Sequence, residues 1–428
     1  MATIHTARIM YPGDAPPIEG GALLDLNGRI AAVGTLAEVK RQHPAITIVD
    51  HGDALLLPLL VNAHTHLELT DCHQWATKFS EIVNPAEFVD WILQLIRIKR
   101  NLSRVDYCNS LANGISASVA AGTGAVGDII SQYFARTAYQ GAPLLGTLFL
   151  ESLGQDPTVV GKLKNNINAV LADKRAGLLQ LGLSPHAPYS ISASYLRDIY
   201  QKCQQERLGC MTHLAESPAE VEFIEKGRGP LATKLYPKIG WEYLVPPAQN
   251  CRPVEYLRRN GGLSAGNILV HGVQLESAEI ELLAASNCSL VLCPRSNDRL
   301  KVGKAPVAEL QKSGIRLALG TDSMASNDSL SVWDEIAFAH KWFKGQLDAP
   351  ALFRMATLGG AQVLGLQQDL GSLTAGKLSS FQVLKPKTKL AVTELLDYSV
   401  APGRTADIAQ VYMRSRAQLS KRKGQGYD

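Results

Sequence analysis

The chain has 428 residues, 46% of them hydrophobic and 19% charged, with a formal net charge of +4. That balance fits a globular enzyme able to bury a large core without staples. The diffuse charge excludes a nucleic-acid or membrane-surface footprint, and no apolar run approaches the ~18 residues that a membrane span needs. Seven scattered cysteines with no paired spacing point to a reducing compartment, with the cytoplasm as the default. The basic tail Lys421-Arg422-Lys423 reads as a solvated terminus.

In chain order, residues 1–57 read as short strands and turns. Gly20-Gly21 and Asn27-Gly28 separate apolar runs, and Asn-Gly is a strong hairpin signal. The long middle then alternates short apolar runs with helix-like stretches. Eight runs stand out: 55–61, 125–130, 143–150, 178–183, 210–213, 268–270, 289–292 and 316–319. Continuous apolar runs are what strands covered on both faces require, and eight of them between helices are the count for a closed parallel barrel. Periodicity alone leaves an open doubly wound sheet as the alternative. Residues 371–428 return to short strands and turns, with β-like segments at 381–384 and 409–413. The expected architecture is therefore α/β: a (β/α)8 TIM-like barrel over residues 58–370, with a small accessory β domain built from residues 1–57 and 371–428.

Polar candidates follow the ends of these runs. His64 and His66 follow the first, His186 the fourth, His213 ends the fifth with Glu216 three residues on, His271 follows the sixth and Asp322 the eighth. A barrel gathers its strand C-termini on one rim, so these residues converge. His64-Thr65-His66 has the period-two spacing of an extended strand end, which turns both imidazoles to one side. Asp322 adds a carboxylate from the last strand, next to the first in a closed barrel, and His213 adds a third nitrogen. Three histidines and one carboxylate suit one divalent cation, Zn²⁺ first and Fe²⁺ second, with room for a water. Taken singly, the histidine pair would read as core residues and Asp322 as a turn former; the shared strand-end position favours the metal. Glu216 and His271 are the candidate proton-transfer groups. His186 is a candidate substrate contact. His5, His43, His51, His73 and His340 fall outside the pattern and read as structural or solvent-facing.

At these residues the sequence resembles the amidohydrolase superfamily, in the branch of the cytosine, guanine and S-adenosylhomocysteine/methylthioadenosine deaminases and the triazine chlorohydrolases. The segments that carry the resemblance are LLLPLLVNAHTHLELT, SPHAPYS, THLAES, LVHGVQL, LCPRSNDRLKVGKAPV, LALGTDSMASNDSLSVWDE and GSLTAGKL. Two segments depart from the usual pattern: Pro58-Leu59 stands where Pro-Gly is common, and Gly376-Lys377-Leu378-Ser379-Ser380 where Gly-Lys-x-Ala-Asp is. The resemblance implies that the accessory domain made from both chain ends is a β-sandwich, and it implies a single metal on His64, His66, His213 and Asp322 and proton delivery to a ring nitrogen by Glu216. It also implies handling of the attacking water by His271 and Asp322. The implied reaction is hydrolytic deamination of an aminated heterocycle, an adenine-type nucleoside above all.

Substrate choice then falls to the loops. Asp90 is placed to bind ribose hydroxyls and Trp75 to stack on a ring, whereas Trp91 reads as core because Phe88, Trp91, Ile92 and Leu95 repeat at helical spacing. Arg295 reads equally as an outer salt bridge or as the partner of a substrate carboxylate; the latter would suit 6-amino-6-deoxyfutalosine, in line with the resemblance to aminofutalosine deaminases. Adenosine, methylthioadenosine and S-adenosylhomocysteine are the other substrates in view. Glu151, ending the third run, reads as a pocket or structural carboxylate. The competing functions are a triazine-type chlorohydrolase or cyclic amide hydrolase on the same metal site, and a non-catalytic binding protein, which would be expected to have lost a ligand. The expected partners are a small-molecule substrate and further copies of the chain in a homo-oligomer, with neither nucleic acid nor membrane.

Overall fold

The structure is a computed structural model that describes residues 2–81, 87–173 and 175–414; the basic stretch 421–423 lies outside the described residues. Eight strands form one parallel sheet in strict sequence order. They are Leu60–Thr65, Thr123–Ile130, Leu145–Ser152, Gln180–Pro185, Gly209–Leu214, Asn267–His271, Ser289–Leu292 and Arg316–Leu319. The eighth returns to the first just beyond its end, where Thr65 and Asp322 form a parallel bridge and Asp322 N donates to His64 O at 3.1 Å. Helices follow the strands and cover the outside, so the molecule carries the (β/α)8 barrel that the apolar runs imply.

Side chains alternate across the barrel wall, as strand geometry requires. Val61, Ala63, Ala125, Ile129, Phe149, Met211, Ile268, Val270, Val291 and Ala318 fill the inside. Leu148, Leu150, Leu183, Leu269, Leu290, Leu292 and Leu319 pack outward beneath the helices. Burial on both faces is why these strands read as unbroken apolar runs and not as alternating ones.

One run divides between two sheets. Residues 55–61 were expected to form the first barrel strand, but Leu55–Pro58 pairs antiparallel with Phe381–Leu384 and parallel with Ile9–Met10, and the barrel opens only at Leu60. Both sheets bury these side chains completely, so hydropathy runs through the junction without a mark. Pro58, with no N–H to donate, stands at the end of the first pairing.

The accessory part holds two sheets. One orders Arg29–Thr35, Gly21–Leu26, Ala2–Thr6 and Ile48–Asp50; the other orders Ile408–Tyr412, Phe381–Leu384, Leu55–Pro58, Ile9–Met10 and Ile18–Glu19. Met10, Leu23, Ile30, Leu56, Phe381 and Val383 form a shared core. The Asn27-Gly28 hairpin is present, with both residues left-handed at φ 55° and 86°, the backbone that favours this pair in tight hairpins. Among the described residues no helix is long and apolar enough to cross a membrane.

Candidate active site

The strand ends open on a cavity of about 620 Å³ lined by His66, His186, His213, Glu216, His271 and Asp322 among others. His64 lies directly beneath, fully buried on the first strand. The seam between first and eighth strands fixes it. Asn62 donates to Thr321 Oγ1 at 2.7 Å and accepts from Thr321 N at 3.0 Å. Gly320 lies flat against His64: a Cβ there would stand 2.6 Å from His64 O and 2.8 Å from its Cβ. Gly320→Ala is therefore expected to destabilise the fold by about 1–3 kcal/mol, read as a lowered Tm; an unchanged melt would mean that the seam can open without cost.

Four potential ligands converge. His66 Nε2 lies 3.3 Å from His213 Nε2. Asp322 Oδ1 lies 3.4 Å from His64 Nε2 and 3.6 Å from His66 Nε2. The sets His64–His66–His213 and His64–His271–Asp322 each place one ligand atom per residue within 4.8 Å of the others. The chemistry of this set fits a cation. His64 Nε2 is buried and has no hydrogen-bond partner among the described residues, a costly state for a polar nitrogen that a metal would relieve. His213 Nδ1 sits 2.8 Å from the carbonyl of His186, so it donates there and leaves the Nε2 lone pair facing inward. Burial, reinforced by neighbouring imidazoles, pushes His66 down to about 3 and His213 well below the ordinary histidine value, so both are neutral, as ligands must be. Burial would raise Asp322, but the imidazoles of His64, His271 and His66 outweigh it and hold the carboxyl well below the usual range. Its second oxygen accepts from Ser296 Oγ at 2.6 Å and Ser326 Oγ at 2.9 Å.

The proton-transfer candidates sit beside this set. His271 ends its strand in a left-handed conformation, φ 75°, and its Nε2 faces Glu216 Oε1 at 3.6 Å. Asn297 Oδ1 holds His271 Nδ1 at 3.0 Å, which fixes the tautomer with the lone pair on Nε2. Burial lowers this imidazole to about 4. Glu216 is positioned through its backbone. The buried carboxylate of Glu220 accepts from Ala215 N at 3.0 Å and Glu216 N at 2.9 Å, bracketing the turn in which Ala215 is left-handed at φ 50°. Burial, with the negative charges of Asp322 and Glu220 nearby, raises the Glu216 carboxyl well above the usual range. Such a group holds its proton to higher pH than an ordinary carboxyl does. His186 also reaches the cavity, its Nδ1 tied to Ser190 Oγ at 2.8 Å.

Three expected substrate contacts lie elsewhere. Trp75 packs among Leu69, Cys72, Ala76, Ile98 and Ala325 with its ring edge-on to Tyr107, in a small apolar cluster behind the cavity wall. Asp90 is exposed and pairs with Lys234 at 3.3 Å. Arg295 donates to Asn327 Oδ1 at 2.9 Å and pairs with Asp328 and with Glu335, the latter at 3.7 Å. It braces the loop after Asp322 and does not line the cavity. Trp91 packs against the core as its helical spacing implies, and it also lines the cavity, with its Nε1 donating to Ala325 O at 3.0 Å. Apolar periodicity is blind to whether a covered face meets protein or ligand. Asn297, Ser296 and Glu220 were not singled out in the sequence. The first two stand in the motif LCPRSN, but their role shows only when His271 and Asp322 are seen against them.

The model of the Amidohydrolase family matches residues 55–409. Aminodeoxyfutalosine deaminase of Deinococcus radiodurans is 32% identical over 370 residues, spanning 84% of this chain and 85% of its own. A 5-methylthioadenosine/S-adenosylhomocysteine deaminase of Syntrophobacter fumaroxidans is 28% identical over 428 residues, spanning 96% and 90%. Among solved structures, an adenosine deaminase from Xanthomonas campestris with bound zinc superposes with a TM-score of 0.79 at 24% identity, over 99% of this chain and 97% of that one, a likeness of fold. With the match running from the strand before the first barrel strand through the last strand of the accessory sheet, the chain belongs to the amidohydrolase family.

Proposed function

We propose that the chain is a metal-dependent aminohydrolase that removes the exocyclic amino group from the adenine-type base of a nucleoside and releases ammonia. The observation that carries this reading is the buried Glu216 carboxyl, whose Oε1 faces His271 Nε2 at 3.6 Å beside the ligand set. A deaminase needs a protonated acid next to the attacked carbon, whereas displacement of chloride from a triazine does not need that acid to the same degree. Aminodeoxyfutalosine, methylthioadenosine, S-adenosylhomocysteine and adenosine are the substrates that the relatives' names offer.

His64, His66, His213 and Asp322 would hold one divalent cation, Zn²⁺ in our reading, which when bound supplies the Lewis acidity that makes water nucleophilic near neutral pH. His271, its tautomer set by Asn297, turns the Nε2 lone pair towards the water and, with Asp322, takes up the water's proton. The oxygen adds to the ring carbon bearing the amino group. Glu216 gives its proton to the adjacent ring nitrogen, so negative charge does not accumulate there. The proton held by the site then passes to the amino group, the carbon–nitrogen bond breaks as the added oxygen gives its remaining proton back to Glu216, and ammonia leaves the ring as a lactam. His186 and Trp91 bind and orient from the cavity wall. Each positioned acid or base contributes about 10²–10⁴-fold.

Ammonia release measured across aminodeoxyfutalosine, methylthioadenosine, S-adenosylhomocysteine, adenosine, cytosine, guanine and a chlorotriazine tests the reading. Turnover should concentrate on the adenine nucleosides. Chloride release from the triazine with no deamination of any nucleoside would replace this function with the chlorohydrolase one.

A further inference from the structure

The first barrel strand leaves its ladder where it carries the candidate ligands. Its pairing with Thr123–Ile130 matches Asn62 to Val126 and resumes with Thr65 on Asp128, leaving Ala63 and His64 opposite the single residue Gly127. The other neighbouring pairs of the barrel keep one register along the described residues. Gly127 makes room for the extra residue: a Cβ there would stand 2.3 Å from Ala63 O. A bulge re-aims side chains and disrupts the local ladder. The strand end that bears His64 and His66 therefore has to be held by something besides the sheet.

Two buried acids hold it, from opposite sides. Asp128, fully buried on the second strand, accepts from Leu67 N at 2.8 Å through Oδ1 and from Tyr139 OH at 2.8 Å through Oδ2. Leu67 opens the short 3₁₀ turn Leu67–Leu69, so its N–H is one of the donors that a helical turn leaves without an internal partner. Glu68, the next residue, reaches the other way. Its Oε1 accepts from Ser131 N at 3.0 Å and from Ser131 Oγ, and its Oε2 from Gln132 N at 3.0 Å, in the chain just after the second strand. Lys99 Nζ, on Ser131 Oγ at 2.9 Å and 4.0 Å from Glu68, supplies a facing charge. Each strand end thus lends an acid to the backbone of the other. His66 stands in the middle of this clasp, between Thr65, which pairs with Asp128, and Leu67, which is bonded to it.

Neither acid lines the cavity, and among the described residues neither belongs to a converging ligand set. Packing alone does not call for them. Val126 and Ile129 fill their places on the same strand with apolar side chains, and a carboxyl taken out of water is costly unless its oxygens are met. Resting on the metal assignment above, we propose that Asp128 is the positioning residue for His66, with Glu68 closing the clasp. It fixes the strand end before any cation arrives, so the affinity of the site for its metal depends on a residue that touches neither metal nor substrate.

Zinc affinity tests this without turnover. The zinc-loaded full chain is titrated against a chelating indicator of known affinity. Asp128→Ala should hold zinc about ten- to hundredfold more weakly than wild type, the usual effect of losing a group that supports a ligand. Its cobalt-substituted form should show an altered d–d absorption spectrum, because one imidazole has moved. Asp128→Asn keeps an oxygen for Leu67 N and should restore both the affinity and the spectrum. A merely structural role would lower the melting temperature of Asp128→Ala and leave the affinity and spectrum of the folded protein unchanged, which would overturn the proposal; so would an Asp128→Asn protein as weak as Asp128→Ala. The unmodified chain provides a reading that does not depend on a variant folding. Hydrogen–deuterium exchange over residues 60–70 should show the same protection with zinc and after its removal by a chelator, and protection that appears only with zinc would overturn the clasp. A wild-type chain that binds no zinc would remove the metal assignment and this proposal together, whereas wild-type affinity in a folded Asp128→Ala would remove the clasp alone.

Discussion

Glu216→Gln is expected to lower kcat on aminated nucleosides by about 10²–10⁴-fold, or about 3–5.5 kcal/mol of transition-state stabilisation. Glutamine keeps the size and can donate a hydrogen bond, but it cannot give up a proton. The loss should therefore fall on turnover, with substrate affinity held within about an order of magnitude. The backbone of the residue is fixed by Glu220 and not by its own carboxyl, so the turn should survive the change. Metal content should survive as well, since Glu216 belongs to neither converging ligand set among the described residues. A chloro-substituted analogue, whose leaving group needs no proton, should lose much less. Steady-state kinetics on both substrates with one protein preparation make the comparison. Near-wild-type deamination by Glu216→Gln would reduce this residue to a buried structural acid and remove the main chemical support for the proposed reaction.

The second large effect is expected from His64→Ala, which should empty the site of metal and abolish activity while leaving a folded barrel. Wild-type protein should carry about one Zn²⁺ per chain by elemental analysis, because the ligand set closes one site with an open position. His64 is common to both candidate ligand triads, and its buried Nε2 has no hydrogen-bond partner among the described residues. Its removal leaves a small void next to Met211, a local defect at the rim. Circular dichroism and a melt should show a folded protein, with the wild-type stability gain from added zinc gone. Collapse of the fold would assign the cation a structural role. Two tightly held, activity-linked metals in the wild type would overturn the mononuclear assignment.

Much of this was readable from residue order. The eight apolar runs located the barrel because strands buried on both faces leave that signature. The strand-end histidines followed from the rule that a barrel collects its C-terminal ends. What hydropathy did not show was allegiance. Residues 55–61 are uniformly apolar although four of them serve the accessory sheet. Trp75 and Trp91 both sit at covered positions against one apolar cluster, and the second also reaches the cavity. Arg295 stood out because it is an unusual residue in its motif, yet its partners Asn327, Asp328 and Glu335 are 32 to 40 residues away and a charge pattern cannot show that they are in reach. The tautomer locks on His213 and His271 were also hidden, since one partner is a backbone carbonyl and the other an asparagine 26 residues on.

The accessory sheet has a consequence for how the molecule is made. Its middle strand, Leu55–Pro58, lies between Ile9–Met10 from the start of the chain and Phe381–Leu384 from near its end, which in turn pairs with Ile408–Tyr412. A ribosome delivers the first three strands of this sheet long before the last two exist, so during most of synthesis an apolar sheet edge waits without its cover. That edge runs directly into Leu60–Thr65, the strand that carries His64. The early chain is therefore the stretch most exposed to wrong pairing, and completion of this sheet is a late event with long sequence separation and correspondingly slow closure. A nascent chain stalled before residue 381 should hold on to chaperones, and release should come only with the final strands.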